Sequence, residues 1–355
     1  MNQSISKSTH KVNLSKAEQA KIVGLTYISS DNLGHTRKAC GRGFKFLTHK
    51  GQLITGELRD NIAKLPIPPA WRDVWISPDL DGHLLATGYD KKGRKQYLYH
   101  PDWCALRQQK NFARMIPFAE TLPTIRRLVE TDFSQRTLNY RCLAAVAVRF
   151  LDDGLIRVGN RRYTQNNGSY GLTTLTRRHI NVNTKSLTLE FLGKSGVERC
   201  IKISDARMAR KIKKCHELPG QHLLQYLDET GCECALSSSD VNEYLSELSK
   251  DQFTAKDFRT WGGTVAAIEF VLSHQHDEEM KKEDINERSV VDYVAAKLGN
   301  TAAVARKNYI HPAIIKAIEQ RKVPYEVPRT MIGQFDGLSE IEMITLSVLK
   351  EAIPS

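Results

Sequence analysis

Five residues from separate stretches of the chain have the side chains that a tyrosine-mediated attack on a phosphodiester would need: Arg157, Lys194, Arg259, Asn300 and Tyr309. A neutral phenol, with a pKa of about 10, is a poor nucleophile, so such a site must favour the phenolate. Arginines stabilise charge on the non-bridging oxygens, because guanidinium stays charged and pairs with phosphate through two hydrogen bonds. A lysine that gives up a proton can assist the leaving oxygen.

Two predicted elements position the first two of these residues. Residues 135–153 carry apolar side chains four apart, which predicts a core helix ending at Gly154, just before Arg157. Alternating apolar residues on both sides of residues 193–196 predict a β-hairpin with Lys194 at its tip. The Gly-Lys-Ser in this turn is not a phosphate-binding loop, since the glycine that such a loop requires five positions earlier is missing, and no nucleotide triphosphate site is expected.

Two more elements carry the remaining residues. A capping box at residues 254–257 predicts the start of a helix that runs to about residue 272 and bears Arg259 near its beginning. Asn300 and Tyr309 belong to the stretch LGNTAAVARKNYIHP, in which Tyr309 is expected late in a short helix. Helical patterns also cover residues 204–227, and a second capping box at residues 339–342 predicts a short helix that ends near residue 352. A charge run at residues 274–289 is expected to be a solvated helix or loop.

Charge and composition restrict the class of partner. The chain has 355 residues and a formal net charge of +12, which favours a polyanionic partner, with nucleic acid first and ribosomal or membrane-surface binding also compatible. No run of eighteen apolar residues and no signal-peptide pattern is present, so a cytoplasmic protein is expected. Seven scattered cysteines without a CxxC pair argue against disulfides and structural zinc.

The order of short alternating runs and longer helical patterns along the sequence predicts an α+β protein with a small β-rich lobe and a larger, mainly helical lobe containing a β-hairpin. Short alternating runs separated by turns predict an antiparallel sheet in the first lobe, and two prolines near residues 116–123 suggest the boundary. The predicted divisions are a polar arm at residues 1–30, a β-rich domain at residues 31–118, a helical domain at residues 119–322 and a tail helix at residues 323–355.

Eight motifs in order, between about residues 35 and 315, resemble type IB DNA topoisomerases of the short bacterial and poxvirus kind. They are IPPAWRDVWI, GYDKKGRKQYLYHPDW, IRVGN, GLTTLTRRH, GKSG, DVNEYL, FTAKDFRTWGGT and LGNTAAVARKNYIHP. The resemblance implies a fold of the tyrosine recombinase and topoisomerase IB kind. It also implies relaxation of supercoiled duplex DNA through a 3′-phosphotyrosyl intermediate, by a monomer that needs neither ATP nor a metal.

The resemblance also implies a role for each residue of the first set. Tyr309 would be the nucleophile, Arg157 and Arg259 the phosphate clamp, and Lys194 the general acid toward the leaving 5′-oxygen. Many relatives have His at the position of Asn300, and the asparagine of this chain matches the bacterial branch. Because Asn neither gains nor loses a proton at neutral pH, proton transfer is expected to depend on Lys194, with Lys256 as a possible second contributor.

Further DNA contacts are expected from residues that combine positive charge with aromatic rings. In the predicted sheet these are Arg94, Lys95, Tyr97 and Tyr99, where the family caps the DNA. Near the scissile phosphate, Tyr163 is the first candidate, and Arg177, Arg178 and His179 are either duplex contacts or ordinary surface and core residues.

Ordinary structural interpretations remain open for each residue taken singly: a packing tyrosine, a salt-bridge arginine, a solvated turn lysine. Two other functions fit the same side chains. A tyrosine recombinase uses the same chemistry but usually has His three residues before the second arginine, where this chain has Lys256. A DNA-binding architectural protein with an inactive site would keep the basic surface alone.

Overall fold

The computed structural model describes residues 14–274 and 285–352, and the chain divides into two compact units, residues 1–110 and 111–355. Most of the charge run at residues 274–289 and the first thirteen residues of the predicted arm lie outside the described residues. No helix within the described ranges has the length and apolar character needed to cross a bilayer.

Unit 1 is built on a five-stranded antiparallel sheet with strand order β2-β1-β3-β4-β5. The strands are β1 His35–Cys40, β2 Gly43–Leu47, β3 Arg72–Ile76, β4 Leu84–Tyr89 and β5 Lys95–Tyr99. Three helices accompany them: α1 Lys16–Ile22, α2 Gly56–Lys64 and α3 Pro101–Ala113, the last of which continues into unit 2. The predicted small antiparallel sheet is therefore confirmed.

One face of this sheet packs on α2 and the other remains accessible at β5. Phe46, Ile62 and Ile76 are buried together in the core of the sheet. Because side chains alternate along a strand, Leu98 of β5 packs on this core while the exposed side chains of the same strand point to the other face. A second small cluster holds α1 through Ala20 against Trp103.

Unit 2 is mainly helical, and one large core joins its elements. Its helices are α4 Met115–Phe133, α5 Tyr140–Gly154, α6 Arg161–Asn167, α7 Ala206–Glu217, α8 Ser238–Ser249, α9 Ala255–Ser273, α10 Glu287–Leu298, α11 Ala302–Asn308, α12 Pro312–Glu319 and α13 Glu340–Ala352. The predicted core helix α5 ends where expected, but the left-handed residue that closes it is Leu155, at φ 47°, rather than Gly154.

The two prolines near residues 116–123 suggested a break in helical structure, and helix α4 shows that this prediction is wrong. The helix is continuous through both, so residue 118 lies inside it rather than at the end of an element. Pro117 falls in the first turn, where the missing N–H would have no partner anyway. Pro123 removes one hydrogen bond, but burial of one apolar face along the whole helix outweighs that loss.

Two small sheets complete unit 2. Strands β6 Ile180–Val182, β7 Leu187–Leu192 and β8 Glu198–Ile203 form an antiparallel sheet in that order, and the turn between β7 and β8 is the predicted hairpin tip. Strands β9 Gln225–Leu227 and β10 Glu233–Ala235 form a hairpin. The prediction of helix through residue 227 is therefore wrong: α7 ends at Glu217, before Pro219 and Gly220, which cannot continue it.

A charged cluster ties the last helix to the body of unit 2. Glu342 forms a capping box with Ser339, as the sequence predicted, and also accepts from Trp261 of α9 at 3.1 Å. Arg126 of α4 donates to Glu342 at 2.8 Å and to Asp152 of α5 at 2.7 Å. One arginine thus joins α4, α5 and α13 through partly buried ion pairs.

We expect Arg126→Met to lower the free energy of unfolding by about 3 kcal/mol, because it leaves two largely buried carboxylates without their counter-charge. Urea denaturation measures this change. Arg127→Met removes an exposed arginine from the next position of the same helix and should change the stability by less than about 0.5 kcal/mol. Equal effects of the two substitutions would contradict the stabilising role of the Arg126 ion pairs.

Candidate active site

The carboxyl end of helix α10 holds two arginines from other elements. The last carbonyls of a helix lack partners within it and carry the negative end of the helix dipole. Arg259 of α9 donates from Nη2 to the carbonyl of Leu298 at 3.0 Å, and Arg157 donates from Nη2 to the carbonyl of Gly299 at 3.3 Å. Two guanidinium groups are therefore held close together without any carboxylate partner among the described side chains.

Arg259 is almost completely buried, with 3% of its surface exposed. Its Nη1 also donates to the carbonyl of Leu155, the left-handed residue after α5, so the segment that presents Arg157 also anchors Arg259. Burial lowers the pKa of the Arg259 guanidinium. Its Nε is buried and has no acceptor among the described residues. A buried cationic donor that lacks an acceptor is what an incoming anion would satisfy.

The backbone of Tyr309 is fixed from both sides. Tyr309 directly follows α11 as its C-cap, rather than lying within the helix as predicted. Its carbonyl accepts from the Thr264 hydroxyl at 3.0 Å, and the same hydroxyl accepts from the N–H of His311 at 3.1 Å. A Cβ on Gly263 would stand 2.8 Å from the Tyr309 carbonyl oxygen, so only glycine allows α9 to approach this closely.

The electrostatic environment favours ionisation of the Tyr309 phenol. Burial alone would raise its pKa, but the positive charges of Arg259, Arg157 and Lys256 outweigh burial and lower the pKa below its ordinary value. The Arg259 guanidinium carbon lies 5.1 Å from the centre of the Tyr309 ring. A guanidinium this close to the ring favours the negatively charged form of the phenol.

Asn300 joins this cluster through its side-chain oxygen. Its Oδ1 accepts from Nη2 of Arg157, while its backbone N–H donates to the carbonyl of Ala295 at 2.9 Å. Its Nδ2 is buried and has no acceptor among the described residues. Asn300 therefore orients one arginine and keeps an amide donor available beside it.

The two lysines differ in their relation to the cluster. Lys256 is exposed on the first turn of α9, and its charge acts on Tyr309. Lys194 is exposed in the tight turn Lys194–Gly196 between β7 and β8. The turn is closed by hydrogen bonds between Gly193 and Val197 at 2.7 Å and between Gly196 and Gly193 at 3.0 Å. The contacts that join Tyr309, Asn300 and the two arginines do not include Lys194.

The remaining candidates of unit 2 separate into two groups. Tyr163 on α6 lies near enough to Arg157 to affect its ionisation. Arg178 donates to the Tyr170 hydroxyl at 2.7 Å and remains half-exposed. Arg177 donates to backbone carbonyls after α7, and His179 is buried with its pKa lowered by burial. The side chains of the last two residues are therefore engaged within the protein.

In unit 1, β5 presents a basic aromatic edge. The rings of Tyr97 and Tyr99 stack at 6.0 Å with an angle of 10° between them, and Lys95 lies 5.8 Å from the Tyr97 ring centre. Arg94 instead forms an ion pair with Asp90 at 2.7 Å, which also organises the turn before β5. Asp90 therefore compensates the positive charge of Arg94 within the protein.

Sequence reasoning missed two residues that support the site. Thr264 was quoted in a motif but given no role, although the adjacent glycines indicated a close helix contact. Arg199 on β8 donates to the carbonyl of Lys297 at 2.9 Å, and no local pattern distinguishes it from other charged strand residues. Among the described residues no group of His, Cys, Asp and Glu side chains is arranged to hold a metal ion.

Two family models match the chain. The model of the eukaryotic DNA topoisomerase I catalytic core matches residues 100–329, and that of the bacterial DNA topoisomerase IB N-terminal domain matches residues 43–90. The first spans every element that contributes to the cluster around Tyr309. The second spans β2 to β4 of unit 1.

Viral proteins are similar over most of the chain. DNA topoisomerase 1B of Acanthamoeba polyphaga mimivirus is 30% identical over 278 residues, covering 76% of this chain and 83% of the viral protein. DNA topoisomerase 1B of Vaccinia virus (strain Copenhagen) and DNA topoisomerase I of Monkeypox virus are each 21% identical over 257 residues. Each covers 71% of this chain and 78% of its own length.

We expect Thr264→Val to destabilise the protein by about 1–3 kcal/mol, since a shape-conserving change leaves the Tyr309 carbonyl and the His311 N–H unpaired. Urea denaturation measures the loss. Thr260→Val is the matched control: Thr260 is buried in the same helix, but its hydroxyl bonds only the carbonyl of Lys256 one turn earlier. A control as costly as Thr264→Val would show that the bridging hydroxyl has no special role.

Ultraviolet titration of the phenols, taken as the difference between the unaltered protein and Tyr309→Phe, should place the pKa of Tyr309 below about 10. Lys256→Met should raise that pKa, because removal of a nearby positive charge disfavours the phenolate, so ionisation moves to higher pH. Lys307→Met removes an exposed lysine two positions from the tyrosine and should leave the pKa unchanged. An unshifted titration in Lys256→Met would refute the charge effect.

Proposed function

Because this chain belongs to the type IB DNA topoisomerase family, we propose that Tyr309, Arg157, Arg259, Asn300 and Lys194 form its catalytic centre. The activity itself follows from the family: the enzyme relaxes supercoiled duplex DNA by cutting one strand through a 3′-phosphotyrosyl intermediate and resealing it. The observation that carries the assignment of residues is a tyrosine beside a buried and a partly buried arginine, with two buried donors that lack acceptors among the described residues.

In the proposed cleavage step, the Tyr309 phenol loses its proton to solvent and the phenolate oxygen attacks the scissile phosphorus. A new bond forms between that oxygen and phosphorus while the bond from phosphorus to the 5′-oxygen breaks, so the 3′ end stays on the enzyme. Arg157 and Arg259 stabilise the charge that develops on the non-bridging oxygens, and their attachment to α10 holds them in place beforehand. Nε of Arg259 and Nδ2 of Asn300 are the donors that the phosphate would satisfy.

Proton transfer is assigned to Lys194. The leaving 5′-oxygen must gain a proton, and Asn300 cannot supply one at neutral pH. An ammonium at the tip of a hairpin can reach a bound strand from outside the arginine cluster, and Lys256 is the second candidate. In religation the same groups act in reverse. The 5′-hydroxyl loses its proton and attacks phosphorus, and the bond between phosphorus and the Tyr309 oxygen breaks.

DNA contacts outside the catalytic centre are assigned to basic and aromatic residues of each unit. In unit 1 these are Lys95, Tyr97 and Tyr99, whose exposed rings and charge suit contact with a sugar–phosphate backbone. Arg94 contributes less, since Asp90 neutralises it. In unit 2 they are Tyr163 and Lys256, which lie close enough to Arg157 and Tyr309 to act on their ionisation.

The proposed mechanism requires no external energy source. Each step exchanges one phosphodiester for another, so the bond energy is conserved in the phosphotyrosine and ATP is not needed. Arginines take the charge-stabilising role that a metal ion has in other nucleases. We further propose that the enzyme acts as a monomer in the cytoplasm, on the nucleoid of a bacterial cell, with a fold of the kind shared with tyrosine recombinases.

Incubation with negatively supercoiled plasmid in EDTA without ATP tests the proposal, together with Tyr309→Phe. The unaltered protein should relax the plasmid stepwise, and Tyr309→Phe should bind DNA but form no covalent adduct, because the attacking oxygen is missing. Tyr293→Phe removes a hydroxyl from a half-buried tyrosine of α10 and should keep activity.

Other outcomes of this assay point elsewhere. Recombined products would identify a strand-exchange enzyme, and binding without relaxation would identify an architectural protein. A covalent adduct that persists in Tyr309→Phe would show that another tyrosine is the nucleophile.

A further inference from the structure

Arg199 lies on the hairpin that carries Lys194, five residues beyond it and opposite Phe191 in the ladder of β7 and β8. Its guanidinium donates from Nη2 to the carbonyl of Lys297 at 2.9 Å and from Nη1 to the carbonyl of Ala296 at 3.3 Å. Both carbonyls belong to the last turn of α10. The hairpin is thus tied by one side chain to the helix end that holds the catalytic arginines.

The contact between Arg199 and the end of α10 is tight. Gly299, which closes α10 at φ 60°, lies against the guanidinium so closely that a Cβ at this position would stand 2.7 Å from Nη1 of Arg199. The next residue is Asn300, which orients Arg157. The aliphatic part of Arg199 also covers Gly193, the residue before Lys194, where a Cβ would stand 3.2 Å from its Cγ. Arg199 therefore touches the chain next to both Lys194 and Asn300.

A third guanidinium at this place is electrostatically unfavourable, which indicates that Arg199 does more than pack against its neighbours. Burial lowers the pKa of its guanidinium, and its charge repels those of Arg157 and Arg259. No carboxylate within the described residues forms an ion pair with it. The partial negative charge of the α10 carboxyl end offsets the repulsion. The result is a row of consecutive carbonyls, Ala296 to Gly299, capped by three arginines from three different elements.

We propose that Arg199 is a positioning residue for Lys194: it fixes the hairpin against the end of α10 so that the lysine reaches the leaving 5′-oxygen while Asn300 and Arg157 hold the phosphate. Arg199 acts through Lys194 and needs no contact with the reacting atoms. The proposal rests on the function assigned above to Lys194.

A bridging-sulfur substrate isolates this role. A duplex oligonucleotide is made around a cleavage site first mapped by sequencing adducts trapped on plasmid DNA, with either oxygen or sulfur at the scissile 5′ position. A thiolate leaves without protonation, so a defect confined to the general acid disappears on the sulfur substrate. Single-turnover cleavage is measured for Arg199→Met, Lys194→Ala, the double variant, and Lys202→Met as an exposed control on the same strand.

We expect Arg199→Met to slow cleavage of the oxygen substrate roughly 10- to 100-fold and to recover to within a few-fold of the unaltered enzyme on the sulfur substrate. The double variant should be no slower than Lys194→Ala alone, since both changes remove one function. Lys202→Met should cleave both substrates normally.

Three results would overturn the proposal: unaltered cleavage by Arg199→Met, equal slowing on both substrates, or additive losses in the double variant. Equal slowing would mean that Arg199 supports the arginine cluster or the fold instead. If Lys194→Ala itself is not rescued by sulfur, the general-acid role of Lys194 fails, and the positioning role that rests on it fails too. This failure is recognised from Lys194→Ala alone, independently of any Arg199 variant.

Discussion

The carboxyl end of helix α10 is the feature on which the rest of the site depends. Like charges repel, and three guanidinium groups gathered in a half-buried space would separate unless something held them. The row of carbonyls from Ala296 to Gly299 provides both acceptors and the negative end of a helix dipole, which stabilises a nearby cation by up to about 2 kcal/mol. The arginines are thereby oriented before DNA arrives, so binding need not order them.

The tyrosine is positioned by a different kind of contact. Gly263 lets helix α9 touch the backbone of Tyr309, and the Thr264 hydroxyl bridges the peptide groups on either side of Ile310. Helix α9 also carries Arg259, so a single element fixes both the tyrosine that we propose as the nucleophile and a cation beside it. Between Arg259 and Gly263 on the same helix, Trp261 bonds Glu342, and Arg126 extends that contact to α4 and α5. A packed, satisfied surrounding shell of this kind keeps catalytic geometry precise.

Several elements were predictable because local rules and tertiary packing agree on them. The capping boxes at Thr254 and Ser339 and the hairpin around Lys194 are all present. The two errors have different causes. Burial of one face carries α4 through Pro123, and this depends on packing along the whole helix, which no local pattern shows. The end of α7 before β9 is marked locally by Pro219 and Gly220, and that prediction gave the helical pattern more weight than these turn residues.

The sequence by itself determined the residue types of the chemistry, the motifs that identify the family, and the elements that carry them. Only the tertiary structure decided which groups meet. Asn300 bonds Arg157, Arg259 caps α10 at Leu298, and Arg199 links the hairpin to the same helix end at Lys297, although these partners lie 143, 39 and 98 residues apart in the sequence. The contacts of Arg259 and Arg199 are made to backbone carbonyls, which every residue possesses, and the contact of Asn300 joins side chains from distant parts of the chain. No local pattern of side chains in the sequence can therefore predict these contacts, and they form only when the helices have packed.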